Sequence, residues 1–167
     1  MRFGGVSHCG FPPRRQLCLL ANFNALIFDF VARQKLGGTT FGFYHLDQLP
    51  TLPPDTYDDV CPWDTKLTLE EWVSERVLRL TCTGDDMRPL AEVAGFKPEV
   101  VKWKEADRAV LCAELDAAFF RLYGLTDDDI EYVIGTFQAI AKDDKSHHGV
   151  GRTRELIRNA LAQMPPL

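Results

Sequence analysis

The chain has 167 residues, 46% hydrophobic and 26% charged, with a formal net charge of −5. That length and balance fit one domain with a real core, or one domain with a helical extension, and exclude a low-complexity chain. The longest apolar run, Leu17 to Phe30, is broken by Asn22, Asn24 and Asp29 and falls short of the roughly 20 apolar residues that span a bilayer.

Met1-Arg2-Phe3-Gly4-Gly5 lacks the continuous apolar stretch of a secretory signal. Five cysteines (Cys9, Cys18, Cys61, Cys82, Cys112) are odd in number and widely spaced, with no C-x-x-C pair. The expectation is free thiols in a reducing cytoplasm, with no membrane partner and no metal. The charge is uneven. Arg2, Arg14, Arg15, Arg33 and Lys35 face Asp29 alone in residues 1–45, so a basic N-terminal third precedes an acidic body. Such a third can offer a positive face to a phosphate backbone.

In chain order, Gly4, Gly5, Gly10, Pro12 and Pro13 predict an irregular start over residues 1–14. Leu19, Leu20, Phe23, Leu26, Ile27, Phe30 and Val31 recur at helical spacing and predict one helix from about Arg15 to Leu36. Arg33 and Lys35 fall in its last turn, where cations complement the helix dipole, and Gly37 or Gly38 is a natural C-cap. Thr40 to Leu46 is aromatic and β-prone, which predicts a short strand. Pro50, Pro53, Pro54 and Pro62 then forbid a long helix or central strand and predict a linker or extended arm.

The second half reads as helices. Thr68-Leu69-Glu70-Glu71 is a capping box opening a helix through Leu78. Asp86 to Ala94 predicts a short helix with Pro89 in its first turn and Gly95 as its stop. Glu105 to Tyr123 is the clearest element, with Val110, Leu111, Leu115, Ala118, Phe119 and Leu122 on one face and Gly124 at its end. Thr126-Asp127-Asp128-Asp129 starts a helix reaching about Phe137. A polar loop over Lys142–Gly151 precedes a last amphipathic helix from Arg152 to Met164. The fold class is therefore α+β, mainly α-helical. Residues 15–62 form a helix–turn–strand unit with a proline-rich arm, and residues 63–167 a helical C-terminal portion.

Three pieces, in order and spacing, carry a resemblance: Ala21-Asn22-Phe23-Asn24, Arg33-Gln34-Lys35-Leu36-Gly37-Gly38-Thr39, and Gln48-Leu49-Pro50-Thr51-Leu52-Pro53-Pro54. A fourth is Arg108 to Ala118, continuing through Leu122-Tyr123-Gly124-Leu125. Together they resemble the C-terminal region of large N6-adenine DNA methyltransferases of bacterial restriction-modification and phage-defence systems. The family often has serine after the second asparagine, where this chain has Ala25. The resemblance implies a target-recognition segment that follows a catalytic domain. It also implies double-stranded DNA as partner, and a catalytic methyltransferase domain or subunit that binds S-adenosylmethionine.

The residues offer a matching chemistry. Arg33 and Lys35 can make charge-assisted phosphate contacts, and Gln34 can pair an adenine edge. Gly37 and Gly38 let backbone N–H groups approach a phosphate, with Thr39 and Thr40 as hydroxyl donors. The plain alternative is a helix end with dipole-matched cations and a glycine cap. Adenine methylation itself needs an Asn/Asp-Pro-Pro-aromatic loop and a glycine-rich cofactor turn. Leu52-Pro53-Pro54-Asp55 and Thr40-Phe41-Gly42-Phe43 supply neither. No catalytic residue and no cofactor are therefore assigned to this chain, which is expected to be inactive alone. Met1 followed by the atypical Arg2–Pro13 predicts an open reading frame left by truncation or frameshift, or a separately encoded specificity subunit.

A small structural or protein-interaction module without a DNA role is the competing class. Pro54-Asp55 with Asp64-Thr65-Lys66 spells a Mg²⁺-dependent nuclease pattern, but Pro62 interrupts the segment between them. His147-His148 near Asp143 and Asp144, and Ser7-His8-Cys9, read as exposed loop and accidental neighbours. Trp63, Trp72 and Trp103 read as packing residues. Asp127–Asp129 reads as a helix N-terminal charge run.

Overall fold

A computed structural model describes residues 10–36, 42–97, 100–143 and 151–167, with backbone alone for Ala139, Ala141 and Asp143. The N-terminal helical pattern folds as two helices, α1 (Pro13–Asn24) and α2 (Leu26–Lys35), bent by 59°. The single helix expected from periodicity is broken at Ala25, which is extended at φ −67°, ψ 142°. Three polar side chains explain the break. Asn24 folds back to donate to the Leu20 carbonyl at 2.7 Å. Asn22 Oδ1 accepts the Leu52 N–H at 3.1 Å. Asp116 Oδ1 accepts the Leu26 N–H at 2.8 Å, satisfying a donor that opens α2. Apolar spacing continues across the break, so periodicity alone does not register it.

The strand expected over Thr40–Leu46 is also replaced. Phe43–Leu46 is one helical turn, α3, with the Gly42 N–H donating to His45 Nδ1 at 3.3 Å. Aromatic residues favour strands only when a neighbouring strand can pair with them. Here Leu46 instead packs on Phe28, Ala32 and Leu49 of a small satellite cluster. Thr40 and Phe41 lie outside the described residues.

The proline-rich stretch is packed into the fold and is no free arm. Pro54–Asp58 forms a 3₁₀ turn, and Tyr57 and Cys61 are buried in the main core. Arg15 donates to the Pro54 carbonyl and pairs with Asp58 at 2.7 Å and Glu70 at 3.2 Å. Strands β1 (Val60–Cys61) and β2 (Asp64–Thr68) then pair antiparallel, Val60 opposite Thr68, with Pro62 in the turn between them. Pro62 therefore makes the hairpin turn instead of preventing a hairpin, because a turn position needs no backbone donor.

Helix α4 (Leu69–Thr81) begins at the capping box: the Glu71 N–H donates to Thr68 Oγ1 at 3.2 Å and the Thr68 N–H to Glu71 Oε2 at 3.0 Å. Helix α5 (Arg88–Val93) follows a 3₁₀ turn and ends at Gly95, whose φ of +76° suits a residue without Cβ. Arg14 closes that end, donating to the Ala94 carbonyl at 2.7 Å and covering the Phe96 ring. Helix α6 (Glu105–Leu122) is the centre of the fold. Its C-terminal two-thirds is buried almost all round, at Leu111, Ala113, Leu115, Ala117, Ala118, Phe119 and Phe120. A helix covered on all sides has no single apolar stripe, so the one-face expectation is too narrow, and Val110 lies largely exposed.

Helices α7 (Asp127–Thr136), α8 (Gln138–Asp143) and α9 (Arg152–Leu161) complete the chain. The short α8 carries helix into the start of the segment expected as loop. Packing of α1 on α4 and of α9 on α6 unites buried residues from Leu17 to Met164 in one core. The fold of the described residues is thus mainly helical with one two-stranded sheet, the expected α+β, mainly α-helical class, although the strands lie at residues 60–68 and not at Thr40–Leu46. Among the described residues no single helix is long and apolar enough to cross a membrane. The bent α1–α2 pair meets that length and composition test, but its apolar residues Leu17, Cys18, Ala21, Ile27 and Phe28 are buried inside the protein.

Candidate functional site

The last turn of α2 presents Arg33, Gln34 and Lys35 to solvent together. A helix end packed on its inner face at Phe28 and Ala32 positions them. Arg33 is 60% exposed, yet it is already engaged. Its Nε and Nη2 donate to the two Asp29 oxygens at 3.0 and 2.8 Å, and its guanidinium lies 5.1 Å from the Phe137 ring centre. The Asp29 hydrogen bond raises the guanidinium's pKa, so the group is a permanent cation partly neutralised in place. Gln34 and Lys35 make no side-chain hydrogen bond or ion pair among the described residues. Gly37, Gly38, Thr39 and Thr40, the rest of the expected contact, lie outside the described residues.

Beyond that gap α3 adds two aromatics that the sequence pattern does not single out. Phe43 is 86% and Tyr44 75% exposed. Exposed aromatic rings are elements of surfaces that stack on bases. The other N-terminal cations do not join this face. Arg14 pairs with Glu71 at 3.5 Å, and Arg15 with Asp58 and Glu70.

A second site lies at the opposite end of α2, where α1, α4, α6 and the Trp103 segment enclose a groove of about 540 Å³. Its walls include Leu20, Ala21, Val77, Leu80 and Leu115, with Asp116 among its lining residues. Desolvation pushes the Asp116 carboxyl up to about 7, against the lowering effect of the Leu26 N–H. At the rim, Arg108 donates to the Leu80 carbonyl at 2.6 Å and stacks 3.7 Å from the Trp103 ring centre. Trp103, expected as a packing residue, is 60% exposed. Trp72 is buried with Trp63 edge-on to it at 5.3 Å, as packing requires. Cys112 also lines the groove, and burial and Asp116 push its thiol up to about 11. A thiol that holds its proton so firmly is a poor nucleophile at neutral pH. The sequence signal for this groove is a lone aspartate between Leu115 and Ala117 on the apolar helix α6, one turn after Cys112 and two after Arg108.

The remaining candidates separate readily. Asp55 is exposed on the 3₁₀ turn, and Asp64 accepts the Lys66 backbone N–H at 3.3 Å within β2. No group of three or more His, Cys, Asp or Glu suited to a metal ion occurs among the described residues. Asp129 forms a capping box with Thr126, and Asp127 pairs with Arg121 at 2.8 Å, so this acidic run serves the start of α7. Cys18, Cys61, Cys82 and Cys112 are free thiols. His147, His148, Asp144, Ser7, His8 and Cys9 lie outside the described residues, as does the side chain of Asp143. No family model, no curated protein and no solved structure matches this chain.

Proposed function

We propose that this chain is a DNA-recognition module of an adenine-methyltransferase system, touching the duplex with the end of α2 and with α3. A separate catalytic domain or subunit binds S-adenosylmethionine and transfers the methyl group. The order and spacing of the Ala21–Asn24, Arg33–Thr39, Gln48–Pro54 and Arg108–Leu125 pieces support the enzyme class. The observation that carries the DNA contact is the joint exposure of Arg33, Gln34 and Lys35 on one turn, followed by exposed Phe43 and Tyr44. Lys35 and Arg33 hold phosphates, and Gln34 is the side chain able to read a base edge.

A specific observation favours a second reading, a protein-interaction module without a DNA role. Arg14, Arg15 and Arg33 are each paired with a carboxylate of this same chain, so much of the N-terminal positive charge is neutralised internally. Titration of duplex DNA across a salt series separates the two. The DNA reading expects affinity to fall with salt, and the Arg33→Ala/Lys35→Ala double variant to bind more weakly. Its log–log salt slope is shallower by about 0.9 per lost phosphate contact. Absence of binding by folded, monodisperse protein, or equal binding by the double variant, selects the second reading.

A further inference from the structure

Among the described residues, two concave places outside the α2 end are notable for their charged side chains. One, of about 330 Å³, is lined by Arg121, Asp127, Glu131 and Arg158. Its charges are consumed in pairs, Arg121 with Asp127 at 2.8 Å and Arg158 with Glu131 at 2.6 Å. The other is the groove lined by Asp116, and its charge is not consumed. Asp116 Oδ1 accepts the Leu26 N–H, while Oδ2 has no hydrogen bond or ion pair among the described residues. Arg108 cannot neutralise it: two helical turns, about 12 Å of rise, separate them on α6. The Arg108 guanidinium is moreover fixed on the Leu80 carbonyl and the Trp103 face.

We propose that this groove is a binding site for a small organic cation, an amine with an apolar body, whose ammonium group sits on the Asp116 carboxylate. Three independent features select that chemistry. The walls are apolar and the space is of the size of a small-molecule site. Two charged groups line it, the Asp116 carboxylate in the groove and Arg108 at the rim, and the guanidinium is held on the Leu80 carbonyl and Trp103 while the second carboxylate oxygen has no partner among the described residues. Leu80 and Thr81 at the end of α4, and Asn24 at the end of α1, also line the groove. The end of α1 lies at the groove and favours a cation there, whereas the end of α4 is already capped by Arg108 on the Leu80 carbonyl. The N-terminus of α2 has its Leu26 N–H occupied by Asp116.

The test uses the full chain at about pH 8, where the carboxylate is ionised. 4-Phenylbutylammonium is titrated against the neutral isostere 4-phenylbutanol, and the Leu26 amide and Trp103 indole NMR signals are followed. The Leu26 amide reports directly because its proton rests on Asp116. The expected result is saturable shifts of both signals, with the amine binding about tenfold or more tightly than the alcohol. Asp116→Asn keeps an acceptor for Leu26, and should reduce amine affinity to the level of the alcohol. Equal affinity for amine and alcohol in the unmodified protein overturns the proposal without reference to the variant. So does amine binding that leaves the Leu26 and Trp103 signals unmoved, or no binding at all. None of these outcomes depends on whether the α2 end touches DNA.

Discussion

In the core, cations are structural parts. Arg76 donates to Glu114 at 2.7 Å while lying 3.5 Å from the Trp72 ring centre. Arg121, only 5% exposed, donates to the Met164 carbonyl at 2.9 Å and pairs with Asp127. At the outer end of α2 the arrangement differs. Arg33 is held by a single carboxylate four residues earlier on the same helix, and Gln34 and Lys35 project beside it. The same difference appears in packing. The main core joins residues from Leu17 to Met164, Ile27 of α2 among them, whereas Phe28 and Ala32 of α2 share a satellite with Leu49 and with Leu46 of α3. Side chains committed to a core cannot also meet a partner, so the α2–α3 region is the part on which the proposed DNA contact depends.

The largest effect that tests this division is loss of a core ring. Phe119→Ala is expected to cost about 3–5 kcal/mol in denaturant unfolding, because Phe119 is fully buried in the last turn of α6. Phe28→Ala removes a ring from the satellite cluster and is expected to cost less while leaving the cooperative transition of the core intact. Equal losses, or a shared broadening of the transition, would show that both regions unfold as one unit.

Asp116 gives the next effect, and its sign follows from its neighbours. On α6 these are Cys112, with a raised pKa, and Arg108 two turns away; from α2 the Leu26 N–H contributes, and α1 and α4 bring only Asn24 and Thr81 as polar lining. The carboxyl titrates near 7 in the folded chain, against about 3.9 in an unfolded one. Between those values the folded state binds the extra proton, so stability rises as pH falls from about 7 toward 4. Each pH unit in that window is worth up to about 1.4 kcal/mol, so a gain of at least about 1 kcal/mol is expected on acidification from about pH 7 to about pH 5. Asp116→Asn should remove this gain. A pH-independent difference between the two proteins would mean that the carboxylate is well solvated in the groove.

How legible these features are in the sequence follows from the range over which each is decided. Thr68 and Glu71 form a cap that four residues specify, and so do Thr126 and Asp129. The period of α6 and the stop at Gly95 are equally local. The break at Ala25 is not, since Leu26 finds its acceptor on Asp116, ninety residues away. Nor is the docking of the proline segment, where Tyr123 donates to the Pro50 carbonyl at 2.9 Å and Asn22 reaches Leu52. The candidate sites divide in the same way. Exposure of the α2 end can be inferred from one amphipathic helix. The pairing of Arg14 and Arg15 with Glu71, Glu70 and Asp58, which shrinks the positive face, depends on how α1 meets α4. The groove depends on which elements surround Asp116, and no local pattern encodes that.

The smallest stability effect is the most direct probe of the proposed DNA contact. Asp29 and Arg33 form an exposed pair at i, i+4, and such pairs contribute only about 0.3–0.5 kcal/mol. Asp29→Asn should therefore leave thermal and denaturant stability nearly unchanged, while releasing the Arg33 guanidinium and removing one negative charge from the face. If Arg33 holds a phosphate, it must first leave Asp29, and the variant is relieved of that competition. Duplex DNA affinity should then rise, because a repelling carboxylate has been removed, and Arg33→Ala added to Asp29→Asn should abolish the gain. If the pair serves only the surface of α2, Asp29→Asn leaves nucleic-acid affinity where it was, and so does Asp29→Asn/Arg33→Ala. The double-variant comparison matters because net charge alone predicts a uniform gain from any removed acid, whereas coupling between Asp29 and Arg33 requires the guanidinium itself.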